Sequence, residues 1–192
     1  MSNARESLKG KWGLAIGTLI VFMLVVVGIQ IVPVAGAIAG IIISGPMTVG
    51  AVRFFMSISR KEEAQLNQIF SGFDRFGPHL VAYLLQMLYI LLWALLLIIP
   101  GIIAAISYSM TYFILAEDST ITASDALAKS KEMMQGNKWK LVCLGCRFIL
   151  WYLACILTLG IGFLWLAPYS YVSVVQFYDD LKETDIDAQS IA

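Results

Sequence analysis

Residues 80–99 read LVAYLLQMLYILLWALLLII and run into Pro100-Gly101. Twenty residues without a charge form a helix about 30 Å long at 1.5 Å per residue, which matches the hydrocarbon thickness of a bilayer. Gln86 is the one amide or charged side chain among them. Working outward, the same pattern recurs five times: Gly13 to Val32, Val34 to about Met56, Ile102 to Ala116, Trp139 to Leu159 and Ile161 to Tyr178. The spacing predicts an all-α polytopic transmembrane bundle, a single domain over 1–192, with six spans arranged as three helical hairpins. Ile102 to Ala116 is the short one, roughly 22 Å as a helix, so it fits only a thinned or partly crossed membrane.

The composition of the whole chain agrees. Of 192 residues 59% are apolar and 14% charged, and the mean hydropathy is +0.81. One soluble core of this size cannot hide so much apolar surface, which excludes a soluble enzyme or a nucleic-acid module. Thirteen basic residues balance thirteen acidic ones, so nothing draws the chain toward nucleic acid.

The charges set the expected orientation. Arg5, Lys9 and Lys11 precede the first span, Arg53, Arg60, Lys61 and Arg75 lie at or between spans two and three, and Lys129, Lys131, Lys138 and Lys140 lie between four and five. The turns around Pro33, Pro100 and Gly160 carry none. By the positive-inside rule both termini and both long loops are cytoplasmic. Ala35-Gly36-Ala37 resembles a cleavage site, but the run before it is longer than a signal-peptide core and leads into another span, so the first span is expected to stay.

Landmarks recur at about one third of the length. Trp12, Phe76 and Trp139 each end a polar segment before a span, 64 and 63 residues apart. The candidate repeat units are 1–60, 61–120 and 121–192. Each reads as a short amphipathic segment, a helix out, a Gly/Pro turn and a helix back, an arrangement compatible with a pseudo-three-fold axis along the membrane normal. The best-defined amphipathic segment is Thr122 to Gln135. Thr122 and Asp125 have the capping-box spacing and Gly136-Asn137 provides the stop. The segment is expected on the inner membrane surface, with Ser2 to Lys11 and Ala64 to Phe76 as its equivalents.

Few residues point to chemistry. Cys143-Leu144-Gly145-Cys146 lies inside a span with no second cysteine pair, and His79 is the only histidine, so no zinc site and no cofactor are expected. Arg147 is a cation within a span, two turns beyond Lys140 on one helix face, and needs a counter-charge, water or a path to the interface. Arg53 and Glu117 fall at similar depths on returning helices, so an Arg53–Glu117 or Arg147–Glu117 pair is expected to fasten hairpins. Gln30, Gln86, Ser107, Ser109, Thr111, Thr158 and Gln176 are polar residues within spans, fit to bond between helices or to line a cavity. A midplane cavity lined by Gln86, Ser109 and Arg147 is the arrangement that a transporter predicts. No catalytic motif occurs, so no enzymatic activity is expected.

The words Gly45-Pro46-Met47-Thr48-Val49-Gly50-Ala51-Val52-Arg53-Phe54-Phe55, Phe70-Ser71-Gly72-Phe73-Asp74-Arg75-Phe76-Gly77, Ile98-Ile99-Pro100-Gly101-Ile102-Ile103, Ser107-Tyr108-Ser109-Met110, Lys138-Trp139-Lys140-Leu141 and Thr158-Leu159-Gly160-Ile161-Gly162-Phe163-Leu164-Trp165 resemble those of a bacterial integral-membrane family, domain of unknown function 975. The resemblance covers nearly the whole chain in order. It implies a plasma-membrane protein and transfers no catalytic residue. The family often carries Ala-Pro where this chain has Met110-Thr111-Tyr112, which leaves a kink in the fourth span open. Two functions follow from these observations. One is a non-enzymatic scaffold or accessory subunit in contact with lipids and with a protein partner or a second copy. The other is a binder or transporter of a lipid or small amphiphile.

Overall fold

The computed structural model describes residues 8, 11–29, 33–157, 160 and 162–191. They form α1 (Trp12–Ile29), α2 (Pro33–Ser59), a 3-10 helix (Leu66–Arg75), α3 (Phe76–Leu96), α4 (Ile98–Ser107), α5 (Thr111–Glu117), α6 (Ala123–Met133), α7 (Lys138–Leu157) and α8 (Phe163–Ile191), with no strand among the described residues. Four stretches are long and apolar enough to cross a membrane: Ala39–Ser59, Leu66–Leu96, Ile98–Glu117 and Lys138–Ile156. Trp12–Val25 is apolar but shorter. Ser2 to Lys11, apart from Leu8 and Lys11, lies outside the described residues, as do Gln30 and Thr158.

Helix α2 is the central element, packed against α1, α3, α5, α8 and the 3-10 helix. Its second half buries Val49, Val52, Phe54, Phe55 and Ile58, which meet Met110, Ile114 and Leu115 from the fourth run and Val172, Val175 and Tyr178 from α8. Phe55 stacks on Tyr171 with ring centroids 4.7 Å apart, and Phe113 on Tyr178 at 5.4 Å. The outer faces of α3, the start of α4 and α7 stay exposed and apolar, with Leu95, Ile98 and Leu150 each more than two-thirds exposed. This inversion suits a bundle whose solvent is lipid.

The hairpin turn expected at Pro100-Gly101 lies earlier. Helix α3 ends at Leu96, Leu97 is extended (φ −159°, ψ 142°), and α4 begins at Ile98. Proline ends a helix when it follows one, but it is tolerated in a first turn, where its missing N–H has no acceptor to lose. The shift gives the fourth run the stretch Ile98–Glu117, 20 residues and about 30 Å, so it is no longer too short.

That run is also broken. Helix α4 stops at Ser107 and α5 starts at Thr111, across a turn at residues 108–110. The break occurs without a proline and is held from outside. The Ser130 hydroxyl of α6 donates to the Ser107 carbonyl at 2.9 Å and accepts from the Met110 N–H at 3.2 Å. One fully buried serine therefore serves both backbone groups that the break would otherwise strand.

The two amphipathic segments differ from expectation in one respect. Thr122 caps α6 as the spacing predicts, accepting from the Asp125 N–H at 3.2 Å. Its apolar face, Ala126, Leu127, Met133 and Met134, is however buried in the bundle rather than laid on the membrane surface. Residues 66–75 are a 3-10 helix, which sets Ile69 and Gly72 on one face at the three-residue period. That face presses into α2, where a Cβ on Gly50 would stand 1.8 Å from the Ile69 carbonyl oxygen and one on Gly72 would stand 1.9 Å from that of Pro46. Only glycine permits the two backbones to come so close.

Candidate functional site

Three helices end in or carry a polar cluster. Arg60 lies just past α2, Glu117 ends α5, and Tyr178, Asp179 and Lys182 lie on α8. The Arg60 Nη2 is 3.0 Å from Glu117 Oε1 and 2.7 Å from Asp179 Oδ1. Lys182 Nζ reaches Glu117 Oε1 at 2.8 Å, and the Tyr178 hydroxyl donates to Glu117 Oε2 at 2.9 Å. The hydrogen bond to Asp179 is the main reason that the Arg60 pKa is raised above the ordinary arginine value. Both oxygens of Glu117 are thus engaged, and one carboxylate fastens α2, α5 and α8.

Neither of the expected pairs, Arg53–Glu117 or Arg147–Glu117, is the one that the structure forms. Arg53 does not pair with Glu117; its Nε donates to the Ala116 carbonyl at 3.0 Å, and its Nη1 to the Ser71 carbonyl at 3.1 Å. A guanidinium has several donors in a rigid fork, so it satisfies backbone carbonyls on α5 and the 3-10 helix at once. One of those carbonyls lies at the C-terminus of α5, where the helix dipole favours a cation. Arg147 does not reach Glu117 either, since no ion pair among the described residues includes it. Arg60, Asp179 and Lys182 were missed because they lie past the apolar ends of the runs, where charges usually only mark the interface. A signal was available: Arg60, Glu117 and Asp179 follow one another by 57 and 62 residues, close to the repeat length.

The other polar residues do not converge. Gln86 lines a groove of about 360 Å³ with Tyr83, Met87, Ile90 and Tyr112, and its buried Oε1 has no hydrogen-bond partner. Ser109 spends its hydroxyl on the Ile106 carbonyl at 2.7 Å. Arg147 belongs to a separate cleft between α7 and α8. Gln86 and Arg147 thus line different clefts, and the Ser109 hydroxyl is spent within the break of the fourth run. His79, expected at a loop edge, is fully buried, and its Nδ1–H donates to the Gly72 carbonyl at 2.5 Å. It ties the start of α3 to the 3-10 helix. Cys143 and Cys146 lie on the exposed side of α7, and no group of three metal-ligating side chains occurs among the described residues.

Glu117→Gln removes the charge that Arg60 and Lys182 share while keeping the shape. The expected result is a loss of about 2 kcal/mol, as for hydrogen bonds to a charged group, shrinking at high salt because the cluster is partly exposed. Thermal unfolding in detergent at low and high salt checks it; an unchanged midpoint at low salt would show that the cluster does not hold the helices.

A family model described as a protein of unknown function, DUF975, matches residues 1–107 and 94–185. No curated protein and no solved structure matches the chain.

Proposed function

We propose that this chain, which belongs to the DUF975 family of proteins of unknown function, is a non-enzymatic integral membrane protein that serves as a scaffold or accessory subunit. The observation that carries this reading is the filled centre of the bundle. Where a transport path would run, α2, the fourth run and α8 meet through Phe54, Phe55, Met110, Ile114, Val172 and Val175, all buried. The clefts lined by Arg147 and by Gln86 lie apart from this cluster, one between α7 and α8 and one beside α3.

The finer reading has six spans in three hairpins, with both termini on the cytoplasmic side of a bacterial plasma membrane. What supports it is the order of elements. The 3-10 helix, α3 and the pair α4–α5 form one series, and α6, α7 and α8 another. The amphipathic segment of each series packs on the returning helix of the series before it. Helix α1, set against α2 and α8, supplies the outgoing helix of the first unit. The orientation rests on the distribution of Lys and Arg.

The apolar tip of the α3–α4 hairpin is where a partner would be sought. Leu95 is 84% exposed there, more than any other large apolar side chain among the described residues. With a photoreactive residue at Leu95, irradiation of intact membranes is expected to give one discrete adduct, with another membrane protein or with a second copy of the chain. Adducts to lipid alone would overturn the scaffolding role and leave the amphiphile-binding reading in its place.

A further inference from the structure

The cleft between α7 and α8 has a volume of about 410 Å³ and is lined by Lys140, Cys143, Arg147, Ser173, Gln176 and Asp180, among others. Its register follows from two contacts higher in the hairpin. Tyr152 OH lies 2.8 Å from Ser170 Oγ, and Phe148 packs edge-on to Tyr169. Antiparallel helices so registered set Lys140 level with Asp180 and Arg147 level with Ser173. The charges then separate by depth. Lys140 and Asp180, of opposite charge, share one end of the cleft, whereas Arg147, seven residues or about 10 Å further along α7, is level with the Ser173 hydroxyl. Ser173 spends its own hydrogen on the Tyr169 carbonyl at 2.9 Å, so it offers Arg147 lone pairs and no charge. The cleft carries one uncompensated positive charge.

A cation that deep in a span is costly until an anion or the interface meets it. The walls around this one are those of a lipid site. The outer face of α7 next to the cleft presents Ile149, Leu150, Trp151, Leu153 and Ile156, each more than half exposed. Gln176 brings amide donors to the same space. We propose that the cleft between α7 and α8 binds one anionic phospholipid, its phosphodiester on Arg147 beside Gln176 and its acyl chains along the apolar outer face of α7. A phosphodiester has the single negative charge that the cleft lacks. A zwitterionic headgroup would bring a further cation into a cleft whose charged side chains, Lys140, Arg147 and Asp180, already sum to one positive charge. This inference rests on α7 crossing the bilayer and is independent of the scaffolding role.

The test is native mass spectrometry of the full chain, extracted from membranes and exchanged into micelles containing equal amounts of phosphatidylglycerol and phosphatidylcholine. Wild type is expected to retain one phosphatidylglycerol. Arg147→Gln loses one charge-assisted contact, so its occupancy falls about tenfold, equivalent to 1.4 kcal/mol. Arg147→Lys keeps the charge and is expected to keep the preference for the anionic lipid. The Arg147 side chain is exposed, so both variants should unfold at the wild-type temperature. Equal retention of the two lipids, or undiminished phosphatidylglycerol on Arg147→Gln, overturns the proposal. So does a phosphate adduct that displaces the lipid when inorganic phosphate is added, since the ligand is then the free anion. Recovery of the chain in the soluble fraction on lysis would overturn the membrane-spanning reading itself, and the lipid site with it.

Discussion

Gly50→Ala is expected to unseat residues 66–75 from α2 and to lower the unfolding midpoint in detergent by roughly 6–12 °C, the equivalent of about 3 kcal/mol in a chain of this size. The reason is the kind of atom in the way. A Cβ on Gly50 meets the carbonyl oxygen, carbonyl carbon and Cα of Ile69, at 1.8, 2.5 and 3.0 Å. These are backbone atoms and cannot rotate aside, so the whole 3-10 helix must withdraw. Its withdrawal exposes Ile69, and Arg53 then loses the Ser71 carbonyl and His79 the Gly72 carbonyl. Gly72→Ala closes the same gap from the other side, against the Pro46 carbonyl. The double variant should therefore cost little more than either single one, because the contact can be lost only once. Gly145→Ala is the control, since its Cβ would meet nothing within 4 Å. A Gly50→Ala midpoint within about 2 °C of wild type would mean that the segment is not held by this contact.

Ser130→Ala is expected to have the second largest effect, also about 3 kcal/mol. It strands two buried backbone groups, the Ser107 carbonyl and the Met110 N–H, and each such loss costs about 1–3 kcal/mol. No neighbour in the chain replaces the hydroxyl. The Thr111 N–H turns to the Tyr108 carbonyl at 3.2 Å, and the Ser109 N–H to that of Ile106 at 3.3 Å. Amide hydrogen exchange gives a local readout, with Met110 protected in wild type and exchanging in the variant, while Ser124→Ala on the exposed face of α6 leaves it protected. If the Met110 amide exchanges freely in wild type, Ser130 does not hold the break.

Both effects show where a reading of the chain in one dimension ends. The apolar runs were legible because bilayer thickness converts directly into a number of residues, and that count needs no knowledge of neighbours. The capping of α6 by Thr122 was equally legible, because donor and acceptor lie three residues apart. Pro100 misled because the same residue ends one helix or begins another, and the choice depends on how Leu96 to Ile98 fold against the rest of the hairpin. The break at residues 108–110 has no proline to announce it, and the serine that stabilises it comes from another helix, more than 20 residues on. For the candidate site the sequence reading singled out Glu117 but set Arg53 or Arg147 beside it, where the structure has Arg60 and Lys182. Long charged side chains reach several neighbours, so sequence depth alone does not choose among them.

Length and apolarity by themselves thus determined that this protein is a helical bundle with its apolar surface turned outward, and short-range spacing determined where α6 begins. The tertiary structure decided which charges meet at Glu117, which glycines let residues 66–75 touch α2, and which serine closes the break in the fourth run. The physical reason is the range of the interactions. Transfer into hydrocarbon acts on each residue separately, whereas hydrogen bonds and close packing act only between atoms in contact, and here those atoms lie as far as 119 residues apart along the chain.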